Sequence, residues 1–77
     1  MWTWDCSVPG RSAGGACHDE QRALCAAEAW MREHQAAAAR VAPVRLDVVE
    51  LAYVPAGQPL EAVRHGNNQI TWRQAAA

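Results

Sequence analysis

Val44-Arg45-Leu46-Asp47-Val48-Val49-Glu50-Leu51-Ala52-Tyr53-Val54 is the densest run of β-branched and large apolar residues in this 77-residue chain, and it holds neither Gly nor Pro. Pro43 precedes it, and Pro55 with Gly57 closes it, so turn chemistry bounds both ends. The run predicts a long central strand that other elements cover. Its alternation slips midway: Val44, Leu46 and Val48 share one face, then Val49, Leu51 and Tyr53 share the other. Either both faces are partly covered, or a bulge at Val48-Val49 switches the side chains over. Eleven residues at ~3.3 Å each are long for so short a chain, which favours a bend.

Working outward toward the N-terminus, residues 19 to about 39 contain neither Gly nor Pro and are rich in Ala, Glu, Gln, Arg, Leu and Met. They predict a helix with Asp19 as N-cap and Glu20 at the positive end of its dipole. At 100° per residue Ala23, Leu24, Ala27, Trp30, Met31 and His34 gather on one face, while Gln21, Cys25, Glu28 and Arg32 lie opposite. Before the helix, Trp2, Trp4, Cys6 and Val8 alternate with Thr3, Asp5 and Ser7, the period of a short strand. Pro9-Gly10 ends that strand, and Arg11 to Cys17, with Gly14 and Gly15, is expected to be a loop. Beyond the central run, Pro55 to Pro59 predicts a turn and Leu60 to His65 a third strand. Gly66-Asn67-Asn68 predicts a tight turn and Gln69 to Arg73 a fourth strand, leaving Gln74 to Ala77 as a frayed tail.

The expected order is β-α-β-β-β in one small α+β domain spanning residues 1–77: one amphipathic helix packed on a mostly antiparallel four-stranded sheet. The last three strands would form a meander. Strand one would join through the helical crossover, right-handed if it runs parallel to its neighbour. Trp2, Trp4, Trp30 and Trp72 would meet between helix and sheet. Of the 51% hydrophobic content, 17 residues are Ala, which buries little area, so the core is small and association with a partner would help stability.

Composition bounds function next. Seven Arg, no Lys and a net charge of −1 give no general attraction for nucleic acid or an anionic membrane. No apolar run approaches the ~20 residues of a membrane span, and Met1-Trp2-Thr3-Trp4-Asp5 lacks the features of a signal peptide. Three Cys suit a reducing, cytoplasmic compartment better than a secreted disulfide scaffold.

Catalytic readings find little support. Gly10, Gly14 and Gly15 lie between a strand and a helix, but their spacing fits neither dinucleotide nor P-loop signatures, and Asp19 and Glu20 would repel a phosphate. Cys6, Cys17, His18 and Cys25 include no C-x2-C pair, so neither metal nor cofactor is expected. Asp47, Glu50 and Glu61 are the sheet carboxylates, and Asp47 and Glu50 point to opposite faces in a regular strand, which argues against paired acid/base work. Arg40, Arg45, Arg64 and Arg73 interleave with carboxylates, as cross-strand pairs on a solvated face would. With Tyr53 as a stacking platform, Arg45, Tyr53, Arg64 and Arg73 are the candidate residues for binding a protein partner or nucleic acid.

Three segments carry a family resemblance: RALCAAEAWMREHQ (residues 22–35), VRLDVVEL (44–51) and PLEAVRH (59–65). Over about residues 21–65 the chain resembles the C-terminal part of small bacterial endonuclease-like proteins related to Holliday-junction resolvases. There a helix ending in a Trp-containing turn precedes an R-hydrophobic-D-V-V strand and a short strand with Arg or His. That family places its metal-binding carboxylates and Lys on strands upstream of this segment. Here the upstream part has no E-x-K and no Lys, so no catalytic residue carries over. The resemblance implies a relative that keeps a surface and lacks the chemistry. The expectation is a non-enzymatic protein-interaction module that self-associates, with strand one as the pairing edge; the alternative is a nucleic-acid binder or vestigial nuclease-like protein.

Overall fold

The computed structural model describes residues 1–74. It is an α+β structure with one helix and six antiparallel strands: β1 (Trp2–Val8), β2 (Arg11–Cys17), α1 (Glu20–His34), β3 (Ala38–Asp47), β4 (Ala52–Pro55), β5 (Leu60–Arg64) and β6 (Ile70–Gln74). The strand order is β2-β1-β3-β5-β6, and β4 pairs with β3. The expected four strands in β-α-β-β-β order are therefore corrected to β-β-α-β-β-β-β. No helix among the described residues is long and apolar enough to cross a membrane.

Two corrections account for the added strands. Arg11 to Cys17 is a strand hydrogen-bonded along all of β1, from Val8↔Arg11 to Trp2↔Cys17. Its glycines serve contact rather than flexibility: a Cβ on Gly15 would stand 2.8 Å from the Trp4 indole nitrogen, and one on Gly14 2.9 Å from the Trp4 carbonyl oxygen. Pro9-Gly10 turns the hairpin, with Gly10 at φ 81°, the left-handed conformation that the third position of a type II turn requires.

Val44 to Val54 is likewise not one strand but a hairpin. β3 stops at Asp47, residues 48–51 turn, and β4 returns with Leu46 opposite Tyr53 and Val44 opposite Pro55. The slip in alternation at Val48-Val49 is this turn. Asp47 makes it without Gly: its Oδ1 accepts from the backbone N of Val49 (2.9 Å) and Glu50 (3.3 Å), and Leu51 takes φ 54°.

α1 starts where expected. Asp19 has extended backbone angles, and its carboxylate accepts from Gln21 N at 2.9 Å. The helix ends four to five residues early, however, and Ala38 and Ala39 open β3. Gln35 adopts the left-handed conformation, and the backbone N–H groups of Gln35 and Ala36 both donate to Met31 O. Tertiary bonds hold this end: Arg64 Nε donates to Ala36 O (2.9 Å) and Arg64 Nη2 to Gln35 O (3.0 Å).

β1 is antiparallel to β3, so the helix closes no parallel crossover, and β1 lies between β2 and β3 rather than at an edge. Strand one is not an edge because Arg11–Cys17, expected as a loop, is the strand β2 and covers it. The expected frayed tail falls mostly outside the described residues; Gln74 itself closes β6.

The core beneath α1 is made of small residues. Cys6, Ala23, Ala27, Ala36, Ala39 and Ala62 are buried, and among the described residues only Met31 and Val41 are large side chains with almost no exposure. Trp2, Trp4, Trp30 and Trp72, expected to meet between helix and sheet, are half-buried and pack against this centre rather than forming it. Alanine on both surfaces lets helix and sheet approach closely, which leaves the indoles as a rim. Trp72 Nε1 donates to Glu28 Oε1 (3.3 Å), tying β6 to the helix.

Candidate interaction surface

The chain measures 44 Å by 25 Å by 21 Å, and the β3–β4 hairpin forms an arm that extends past the part of β3 paired with β1 and β5. α1 lies over β1, β2 and β3, and exposure rises along β3 from buried Val41 to exposed Arg45 and Leu46. On this arm Leu46 is 52% exposed, Val48 74%, Val49 87%, Leu51 81% and Tyr53 55%. Among the described residues five large apolar side chains are thus exposed on one hairpin while two are fully buried elsewhere, a distribution that solvation alone does not favour.

β4 lies on the edge of β3 away from β1. Ala56 N donates to Pro43 O (3.0 Å), whereas Val44 N donates to Met1 O (2.8 Å), and successive strand residues direct their backbone groups to opposite edges. β4 therefore prolongs the edge that β5 begins, where Ala38–Val41 pairs with Leu60–Val63. Strand alternation then assigns the faces. Cys6, Ala39, Val41 and Ala62 point to α1, and Thr3, Asp5, Ser7, Arg40, Ala42, Val44, Leu46 and Tyr53 point to the open side.

The open side carries an ordered row of charge. Asp5 is registered with Arg40, Arg40 with Glu61, and Glu61 with Arg73, so the sign alternates − + − + across β1, β3, β5 and β6. Arg73 and Glu61 approach to 3.9 Å with both side chains largely in solvent, which makes the pair weak in energy and informative about direction. These four residues, with Ser7 and Val63, line a shallow depression of about 320 Å³. Of the arginines expected to sit in cross-strand pairs with carboxylates, Arg40 and Arg73 do, whereas Arg45 is registered with Val54 and Arg64 with Ile70.

The structure does not bring the four nominated binding residues to one surface. Tyr53 and Arg73 lie on the open side. Arg45 lies on the other side of the arm, and Arg64 points toward α1, where its guanidinium is spent on the helix end and on Asn68 Oδ1 (3.3 Å). Leu46, Val48, Val49 and Leu51 are not among the nominated residues because a single covered strand would bury them; the broken alternation at Val48-Val49 is the signal in the sequence that they lie on a hairpin instead.

Groups with chemical potential are scattered. Among the described residues no three His, Cys, Asp or Glu side chains are placed to hold a metal ion. The three cysteines are free. Burial, with a smaller contribution from the Asp5 carboxylate, pushes the Cys6 thiol up to about 11, and its Sγ lies 3.7 Å from Ala27 O. Cys17 and His18 border a depression beside the helix N-terminus with Asp19 and Arg22, but the Asp19 carboxylate is already bound as the cap. His34 stacks on Trp30 with ring centroids 4.4 Å apart, and His65 Nε2 lies 3.1 Å from Thr71 Oγ1. Comparison with protein-family models, with curated proteins and with solved structures finds no match to this chain.

Proposed function

We propose that this chain is a non-enzymatic protein-interaction module that binds through its projecting β3–β4 arm and the open side of its sheet. One observation carries the reading: the five large apolar side chains from Leu46 to Tyr53 stand more than half exposed on the part of the β3–β4 hairpin past Pro43. Burying an exposed Leu or Val gains ~1.5–3 kcal/mol each, so a partner seated on the arm would gain several such contributions. The alanine-rich core makes that gain matter, because it has little apolar area of its own to spare. The nucleic-acid alternative draws on Arg45, Tyr53, Arg64 and Arg73; committing Arg64 to the helix end and dividing the rest between two faces weakens it, as does the net charge of −1.

Sedimentation from low to high micromolar concentration tests the proposal, together with capture of other proteins on immobilised chain. Association is expected, and Leu46→Lys with Tyr53→Lys should abolish it while leaving the circular dichroism unchanged. A wild-type chain that stays monomeric and captures nothing in an arm-dependent way would end this reading.

A further inference from the structure

We infer that the partner is a second copy of this chain, docked open sheet on open sheet about a two-fold axis that runs parallel to the strands between β3 and β5. The inference rests on the interaction reading above and adds the occupant and its orientation.

The charge row supplies the argument. Face-to-face packing of two identical sheets can use a two-fold axis along the strands or across them. An axis across the strands returns each strand to its own position, so along the row Asp5 meets Asp5 and Arg40 meets Arg40, and at any other height the row meets none of its own charges. An axis along the strands, placed between β3 and β5, reverses the row from left to right. Asp5 of one copy then faces Arg73 of the other, and Arg40 faces Glu61, for all four residues. Opposed charges favour this orientation and like charges disfavour the other.

The same operation acts on the arm without further adjustment. Because β4 continues the β5 edge, the axis also passes between β3 and β4 and sets Leu46 against the second copy's Tyr53, and Val44 against its Pro55. Apolar residues meet apolar residues where the arm projects, and opposite charges meet where the row lies. The remaining open-side residues of β1 and β3 include Thr3, Ser7, Ala38 and Ala42, short enough for two sheets to approach at ~10 Å. A chain of 44 Å by 25 Å has room for the ~800 Å² per partner of a standard interface. The contact is isologous and closed, so it ends at a dimer.

Charge reversal tests this. Arg40→Glu with Arg73→Glu makes the row wholly acidic, and Asp5→Arg with Glu61→Arg makes it wholly basic. Each double variant alone is expected to sediment as a monomer at concentrations where wild type is dimeric, and an equimolar mixture should recover the dimer. Arg45→Glu, on the other side of the arm, should behave as wild type. Should the doubles fold poorly, Arg73→Lys offers a milder probe. A zero-length carbodiimide coupler should then join position 73 of one copy to Asp5 of the other. Within one copy these positions are three strands, ~14 Å, apart and cannot be coupled. Dimerising doubles, a mixture that remains monomeric beside a dimeric wild type, or a coupled dimer lacking the 5–73 link would each overturn the inference. So would a monomeric wild type; in that case arm-dependent capture of a different protein would leave the interaction reading standing.

Discussion

Arg64→Ala probes the joint on which helix and sheet depend. The guanidinium donates to Ala36 O at 2.9 Å, Gln35 O at 3.0 Å and Asn68 Oδ1 at 3.3 Å, and it stands at the negative end of the α1 dipole. Charge-assisted hydrogen bonds contribute ~1.5–3 kcal/mol each when dry, and the dipole term adds ~0.3–1 kcal/mol. The side chain is half-buried, so water replaces part of what is lost; only the bond to Ala36 O is sheltered, while those to Gln35 O and Asn68 Oδ1 are exposed. A net cost of ~2 kcal/mol follows. At an m-value of ~1 kcal/mol/M, the urea midpoint should fall by ~2 M. Arg64→Met separates the contributions: it keeps the aliphatic stem and loses the bonds, and should recover no more than ~1 kcal/mol of the cost. Arg45→Ala is the control, an exposed Arg on the arm whose removal should stay within ~0.5 kcal/mol. Equal urea midpoints for Arg64→Ala and Arg45→Ala would refute the claim that Arg64 sets the helix end.

Gly15→Ala puts a methyl group 2.8 Å from Trp4 Nε1, so it should destabilise by ~1–3 kcal/mol or expel the indole; a red shift in tryptophan fluorescence without unfolding would report expulsion, and no change in either quantity would contradict the close packing. Cys6 makes stability pH-dependent in a definite direction. Its folded pKa, about 11, exceeds the ordinary 9.0, so the unfolded chain gives up its proton first. The contribution is intact below pH 9 and is lost as pH climbs toward 11; Cys6→Ala should flatten that part of the profile relative to wild type. Cys17 and Cys25 should likewise react with a thiol reagent in the native state while Cys6 waits for unfolding, which timed labelling with mass spectrometry would resolve.

Where local chemistry decides structure, the sequence was legible. Asp19 before an uninterrupted Ala-, Glu- and Leu-rich segment marks the helix start, the alternation of Trp2, Trp4, Cys6 and Val8 marks β1, and Gly66-Asn67-Asn68 marks the last turn. Structure set by distant contacts was not. Nothing near Gln35 stops the helix, because Arg64 and Ala37, meeting through Arg64 N and Ala37 O at 3.0 Å, commit the alanine run to β3. Gly14 and Gly15 look like loop residues until Trp4 is laid across them. In the candidate surface, arginines and carboxylates were visible as interleaved residues, but their order across the sheet required the register of β1, β3, β5 and β6.

The arm follows from a mismatch in length. β3 runs for ten residues, and the fifteen-residue helix gives its apolar face to β1, β2 and the early part of β3. Past Pro43 the strand outruns this cover, yet its sequence goes on placing Val44 and Leu46 on the open side and Val54 on the other. Pairing with β4 satisfies the backbone of the overhang and leaves those side chains in water. A strand needed only for the intramolecular sheet could have ended at Pro43, where β1 and β5 have already finished pairing with it. The eleven residues from Val44 to Val54 therefore add apolar surface without adding to the core, and that surplus is what the proposed contact between two copies would remove from water.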